Sequence, residues 1–194
     1  MKGCAPTTAE GNQGLDHSTG RGSIVVGVLS DTHGQLYPQV LKLLQGVDHI
    51  IHAGDVGSPQ VLAALQAMAP VTAVRGNCDL HAWAGSLPAR AEVTIGGARI
   101  LVGHIARGLR TEPGGGGPKA GGDLAAVIFG HSHLALVEER DHVLYLNPGS
   151  AGPRRFGRPR TMARLEIFRT QGSESGAGPR ARPRIEATIL TVGE

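Results

Sequence analysis

Five apolar runs in this chain end the same way, in a small residue followed by side chains that carry protons or bind metals. They are "SIVVGVLSDTHG", "VDHIIHAGD", "VTAVRGNCD", "ARILVGH" and "AVIFGHSH". A short, β-branched apolar run bounded by turn residues reads as a strand buried on both faces. A core has no use for carboxylates and imidazoles at the ends of its strands. The repeated ending therefore asks for a sheet whose strand termini gather around a polar centre, which excludes a helical bundle and any fold with scattered strand ends.

The segments between the first three runs support this. "YPQVLKLLQG" and "SPQVLAALQAM" carry apolar residues at the i, i+3, i+4 spacing of amphipathic helices, the second opening with Ser58 as N-cap and Pro59 at the first helical position. Strand, helix, strand, helix, strand implies a parallel sheet with its loops at one edge. From Ala91 the texture changes: "AEVTI-GG-ARILVGH" reads as a hairpin turned at Gly96 and Gly97, and "LALVEER-DH-VLYLNPGS" as one turned at Asp141 and His142. "TMARLEIF" and "RIEATILTV" add two strands, so the second half is expected to be mostly antiparallel. The expected architecture is α/β, two packed β-sheets flanked by helices in an α/β/β/α sandwich.

With 194 residues the chain suits one domain, assigned to residues 22–194. Residues 1–21 are polar, glycine-rich and aperiodic, and are expected to form a disordered leader. Segments 106–123 and 169–184 are rich in Gly, Pro and Arg and carry no period. Aromatic residues are only 3% of the chain, too few for a base-stacking platform, so nucleic acid is not an expected partner. The formal charge of +3 favours anionic ligands. Cys4 and Cys78 offer no disulfide framework, the N-terminus has no apolar signal region, and no stretch is long enough to span a membrane, so a cytoplasmic protein is expected.

Collected, the polar residues at the strand ends are Asp31, His33, Asp55, Asn77, Cys78, Asp79, His104, His131 and His133. In an open α/β sheet the strand C-termini are where ligands bind. In an extended segment, residues two apart point the same way, so Asp31 and His33 are expected to reach a common centre, as are His131 and His133. Two carboxylates, four imidazoles and an amide exceed what one tetrahedral zinc holds and suit two ions sharing a carboxylate. Individually, Asp31 and Asp55 would also serve as helix N-caps and Asn77 as a turn residue; the convergence of all seven metal-capable groups is what favours a site.

"DTH", "GD", "GNCD", "GH" and "GHSH", followed by "NPGS" and the Pro153-Arg154 pair, resemble in order and spacing the metallophosphoesterase (calcineurin-like) superfamily, in particular its small single-domain bacterial and archaeal phosphodiesterases. The resemblance implies that Asp31, His33 and His133 bind one ion, that Asn77, His104 and His131 bind the other, and that Asp55 bridges. It implies two divalent ions, Mn²⁺ first and Ni²⁺, Fe²⁺, Zn²⁺ or Mg²⁺ as alternatives. It implies a phosphoesterase that hydrolyses phosphodiesters, and monoesters as a lesser activity, by in-line attack of a metal-bridging hydroxide. Two divalent cations less two carboxylates and one hydroxide leave a core of about +1, matched to a diester.

Asn77, Asp55, Cys78 and Asp79 are the residues expected nearest the chemistry. Where many members of the superfamily have histidine after the metal-binding Asn, this chain has Cys78, a weaker proton donor. Asp79 is expected to orient a ligand from behind. His104 is followed by Ile105 where relatives commonly have glycine. His49, His52, His81 and His142 are read as structural, with His81 the nearest to the site. The expected partner is a small phosphoester or nucleotide-like substrate, with no membrane, and a homo-oligomer remains compatible. The alternative function is a metal-site scaffold or protein-interaction subunit with little activity; a nuclease is a third, opposed by the lack of a long basic groove.

Overall fold

The computed structural model describes residues 22–107, 109, 124–155, 157–168 and 182–193. The leader 1–21 lies outside them, as do most of the aperiodic segments 106–123 and 169–184. Ten strands form two five-stranded sheets. The first half follows the expected alternation: β1 (Ser23–Leu29), α1 (Pro38–Leu43), β2 (His49–His52), α2 (Pro59–Gln66) and β3 (Val71–Ala73). Strands β1, β2 and β3 pair in parallel. Ser58 caps α2 by accepting the Val61 N–H, with Pro59 at the first helical position.

The hairpins also fall where the glycines and the Asp-His pair predict, between β4 (Arg90–Ile95) and β5 (Ala98–Gly103), and between β7 (Leu136–Arg140) and β8 (Val143–Asn147). Asp141 and His142 both take positive φ, the geometry of a type I′ turn. Strand order in this second sheet is β4-β5-β6-β8-β7, with β6 at Leu124–Ile128. Its middle corrects the antiparallel expectation, because β5, β6 and β8 run parallel to one another and only the edge pairs are antiparallel. The last two strands, β9 (Arg160–Phe168) and β10 (Arg184–Val192), return to the first sheet beside β1, giving the order β10-β9-β1-β2-β3.

The sheets meet face to face over a common core in which Val26, Val28, Ile51 and Ala53 of the first pack with Ile100, Val102, Ala126, Ile128 and Leu146 of the second. Alternate residues face outward: Leu29 and Ile50 pack with Val40 and Leu44 of α1 and its flank and with Val61 and Leu65 of α2. Val127, Phe129 and Tyr145 form a third apolar cluster with Leu101, Leu109 and Leu124. Burial on both faces explains why β1 and β6 read as unbroken apolar runs. Among the described residues no helix is long and apolar enough to cross a membrane.

Because β1, β2 and β3 are parallel, their C-termini share one edge; the same holds for β5, β6 and β8. The two edges meet. Gly130 N–H donates to the His104 carbonyl at 3.0 Å, Asp31 N–H to the Gly54 carbonyl at 3.0 Å, and Ala151 N–H to the Ser30 carbonyl at 3.0 Å.

Candidate metal centre

The loops leaving these strands do not continue as extended chain. Asp31, His33, Asp55, His131 and His133 all adopt positive φ, between 48° and 68°. For residues with a Cβ this left-handed conformation costs about 1 kcal/mol or more each, and Asp and His are among the types that enter it most readily. Alternation along an extended segment is therefore not what aims the side chains of His131 and His133 toward the centre. They part company: the His133 ring lies against His33, with centroids 5.4 Å apart, while the His131 ring stands edge-on to His104 at 5.2 Å.

Around Asp31, the His133 Nε2 lies 3.2 Å and the His33 Nε2 4.0 Å from Oδ1, and the two imidazole nitrogens are 3.5 Å apart. Around Asp55, the His104 Nε2 lies 3.4 Å and the His33 Nε2 4.0 Å from Oδ2. The Asn77 Oδ1 lies 3.0 Å from the His104 Nε2. Ligand atoms of Asp31, His33 and His133 fall within 4.8 Å of one another, as do those of Asp31, Asp55 and His104 and those of His33, Asp55 and Cys78. The structure thus brings all seven expected metal-site residues to one place, with Asp55 between the His33 and His104 groups.

The donor set fits divalent cations. Asp31 Oδ1 is buried and accepts no hydrogen bond, although Oδ2 takes the His131 N–H at 3.1 Å. A buried carboxylate oxygen without a donor is costly unless a cation faces it. The His104 Nδ1–H donates to the Ala53 carbonyl at 2.8 Å, which turns Nε2 toward the centre. Burial alone would raise the Asp55 pKa; the hydrogen bonds from His104 and from the Cys78 N–H override it and hold the carboxyl well below its ordinary value. Burial would lower the His104 pKa, but its bonds to Asp55 and the Ala53 carbonyl raise it. His133 is pushed down by burial, against the pull of Asp31, so its nitrogen is free for a metal.

A second ring of polar groups holds the loops in place. Asp79, almost fully buried, accepts the N–H groups of Val56 at 3.1 Å, Gly57 at 2.8 Å and Gly76 at 2.9 Å. It ties the Asp55 loop to the Asn77 loop. Asn147 donates to the Gly130 carbonyl at 2.9 Å and to Ser132 Oγ at 3.0 Å, so "NPGS" braces the loop of the paired histidines. Two supports, Ser30 and Thr32, were not legible in the sequence, and a third, His52, was read as structural but without its partner. Thr32 gives its hydroxyl proton to the Val56 carbonyl at 2.9 Å, so His52 Nε2–H must donate to Thr32 Oγ1, also at 2.9 Å. Burial pushes the His52 pKa down to about 4, which keeps the ring neutral. Each sits inside an apolar run or in its turn, where only the fold reveals the partner.

The chain belongs to the calcineurin-like phosphoesterase superfamily, whose domain profile matches residues 24–170. A probable metallophosphoesterase of Methanothermobacter thermautotrophicus is 32% identical over 178 residues, covering 88% of this chain and 94% of the relative. A phosphodiesterase of Methanocaldococcus jannaschii is 28% identical, covering 64% of this chain and 82% of the relative. Among solved structures, vacuolar protein sorting 29 of Cryptosporidium parvum superposes with a TM-score of 0.61 at 18% identity, over 87% of this chain and 98% of that one, a likeness of fold.

Proposed function

We propose that this chain is a phosphodiesterase dependent on two divalent cations. Asp31, His33 and His133 would hold one, Asn77, His104 and His131 the other, and Asp55 both. The observation that carries the reading is the placement of Asp55 Oδ2, 4.0 Å from the His33 Nε2 and 3.4 Å from the His104 Nε2, between the two groups. When bound, the cations supply an ionised water nucleophile near neutral pH and draw charge from the phosphoryl oxygens. A site of nitrogen and oxygen donors without thiolate is compatible with Mn²⁺, Ni²⁺, Fe²⁺, Zn²⁺ and Mg²⁺ alike, and it is the likeness to the superfamily that puts Mn²⁺ first.

The protein's own part is orientation and proton supply. Asp55 Oδ1 is pinned by the Cys78 N–H at 2.8 Å, which leaves Oδ2 facing the centre. The Cys78 thiol is raised above its ordinary pKa, first by burial and then by Asp55, so it keeps its proton at neutral pH. Its Sγ lies within reach of the ligand atoms of His33 and Asp55, where it can donate that proton to a departing alkoxide. The substrate is a small phosphoester or nucleotide-like diester met in the cytoplasm, since a core of about +1 matches one diester charge.

Purified protein incubated with Mn²⁺ and, in turn, bis-4-nitrophenyl phosphate, 4-nitrophenyl phosphate and a cyclic nucleotide tests this. Metal-dependent release from the diester is expected to fall by roughly two orders of magnitude or more in Asp55→Ala and Asn77→Ala. No metal-dependent release from any of the three would leave a scaffold role in its place.

A further inference from the structure

We propose that the cleft beside Asn77 and His104 binds a nucleotide portion of the substrate that carries at least one phosphate beyond the one attacked; as a statement about substrate, this rests on the phosphodiesterase reading. The cleft encloses about 820 Å³ and reaches the metal centre through Asn77 and His104, both of which line it. That is within the size range of small-molecule sites.

Three arginines, all exposed, are among the residues that line this concavity: Arg75, Arg90 and Arg107. Arg75 stands two residues before Asn77 and Arg107 three after His104, while Arg90 pairs across the sheet with Gly103, the neighbour of His104. All three thus rise from the backbone that carries the second group of metal-site residues. None forms a side-chain ion pair among the described residues. Among the described residues the cleft's one carboxylate is that of Asp79, already engaged by three backbone N–H groups. Three like charges around a hollow repel one another, and a polyanion relieves that. The single charge of a diester is already met at the metal core, so the arginines answer to additional phosphate.

The same cleft has apolar lining. Leu80 is 85% exposed and Ile105 44% exposed, with Ala82 and Ala89 nearby. Exposed apolar side chains beside arginines that form no ion pair among the described residues fit a ligand with a flat, weakly polar ring and an anionic tail. An arginine-lined hollow beside His133 encloses only about 10 Å³. There Arg160 already donates to the Gly152 carbonyl and lies over the Tyr37 ring. It has no room for a nucleotide.

The test is calorimetric titration of adenosine diphosphate, adenosine monophosphate and adenosine into the full chain, both loaded with Mn²⁺ and stripped by chelator. The stripped protein isolates the arginines, and it is expected to bind the diphosphate about tenfold more tightly than the monophosphate. Arg90→Gln with Arg107→Gln is expected to erase that preference, as is Arg75→Gln in part. Arg184→Gln, whose guanidinium pairs with Glu186 away from the cleft, should keep it. Equal affinity for the two nucleotides, no binding at millimolar diphosphate, or a preference undiminished in the double variant would each overturn the inference. Diester hydrolysis alongside equal nucleotide affinities defeats this inference alone; a diphosphate preference without any hydrolysis defeats the proposed function and leaves a nucleotide-binding cleft.

Discussion

Gly76 and Gly130 sit where the backbone passes closest to the two carboxylates. A Cβ at Gly76 would fall on the Asp55 carboxylate and backbone nitrogen, and one at Gly130 on Ser30 Oγ and Asp31 Oδ2. Neither has the positive φ that usually explains glycine, so the requirement is space rather than torsion. Gly76→Ala is expected to displace Asp55, to cost about 1–3 kcal/mol in a urea melt, and to lower the bound metal measured by elemental analysis. A variant with native stability and full metal content would refute that account. Cys78 makes a different kind of prediction. If its thiol protonates the leaving group, Cys78→Ala should slow a diester with an alkyl leaving group by about 10–100-fold and leave a 4-nitrophenyl diester nearly unchanged, because nitrophenolate departs without help. Equal losses in kcat on both substrates would remove the thiol from the proton inventory.

The loops after β2 and β3 depend on one another through Asp79. Truncation in Asp79→Ala strands the N–H groups of Val56, Gly57 and Gly76, at a cost of roughly 2–4 kcal/mol. Asp79→Asn keeps one acceptor oxygen and should recover about half of this in chemical denaturation; the same loss in both variants would mean that the charge, not the geometry, matters. At this scale the sequence was a good guide to elements and a poor one to their pairing. β1 to β3 and the two helices could be read because their periods are local, and the hairpins because their turns are. The parallel pairing of β5 with β6 could not, since the crossover between them runs through residues 104–123, where four consecutive glycines erase any helical period. Likewise, which residues converge was legible from strand-end chemistry, but how they are aimed was not: the left-handed turns at His131 and His133 send two neighbours to opposite groups. The arginines of the cleft were overlooked because Arg75, Arg90 and Arg107 lie far apart in sequence and each, alone, resembles an ordinary surface charge.

Across the whole molecule, the candidate ligands divide between the sheets: Asp31, His33, Asp55 and Asn77 follow strands of the first, His104, His131 and His133 strands of the second. A cation shared by His133 and Asp31 would therefore clamp the sandwich shut. At a concentration 100-fold above its Kd, one such ion adds about 2.7 kcal/mol, which for a chain of this size raises Tm by roughly 5–10 °C. Scanning calorimetry with and without Mn²⁺ checks this, and Asp31→Asn should remove most of the shift; a Tm indifferent to metal would contradict the clamp. The five left-handed residues give the clamp a further property. Asp31 and His33 among them are tied to the neighbouring loop, Asp31 N–H to the Gly54 carbonyl and His33 N–H to the Asp55 carbonyl, bonds that would hold the socket's shape as a cation enters. A socket held in that way would let one metal be traded for another at the pace of ligand release, and the ion bound would then mirror those of its surroundings.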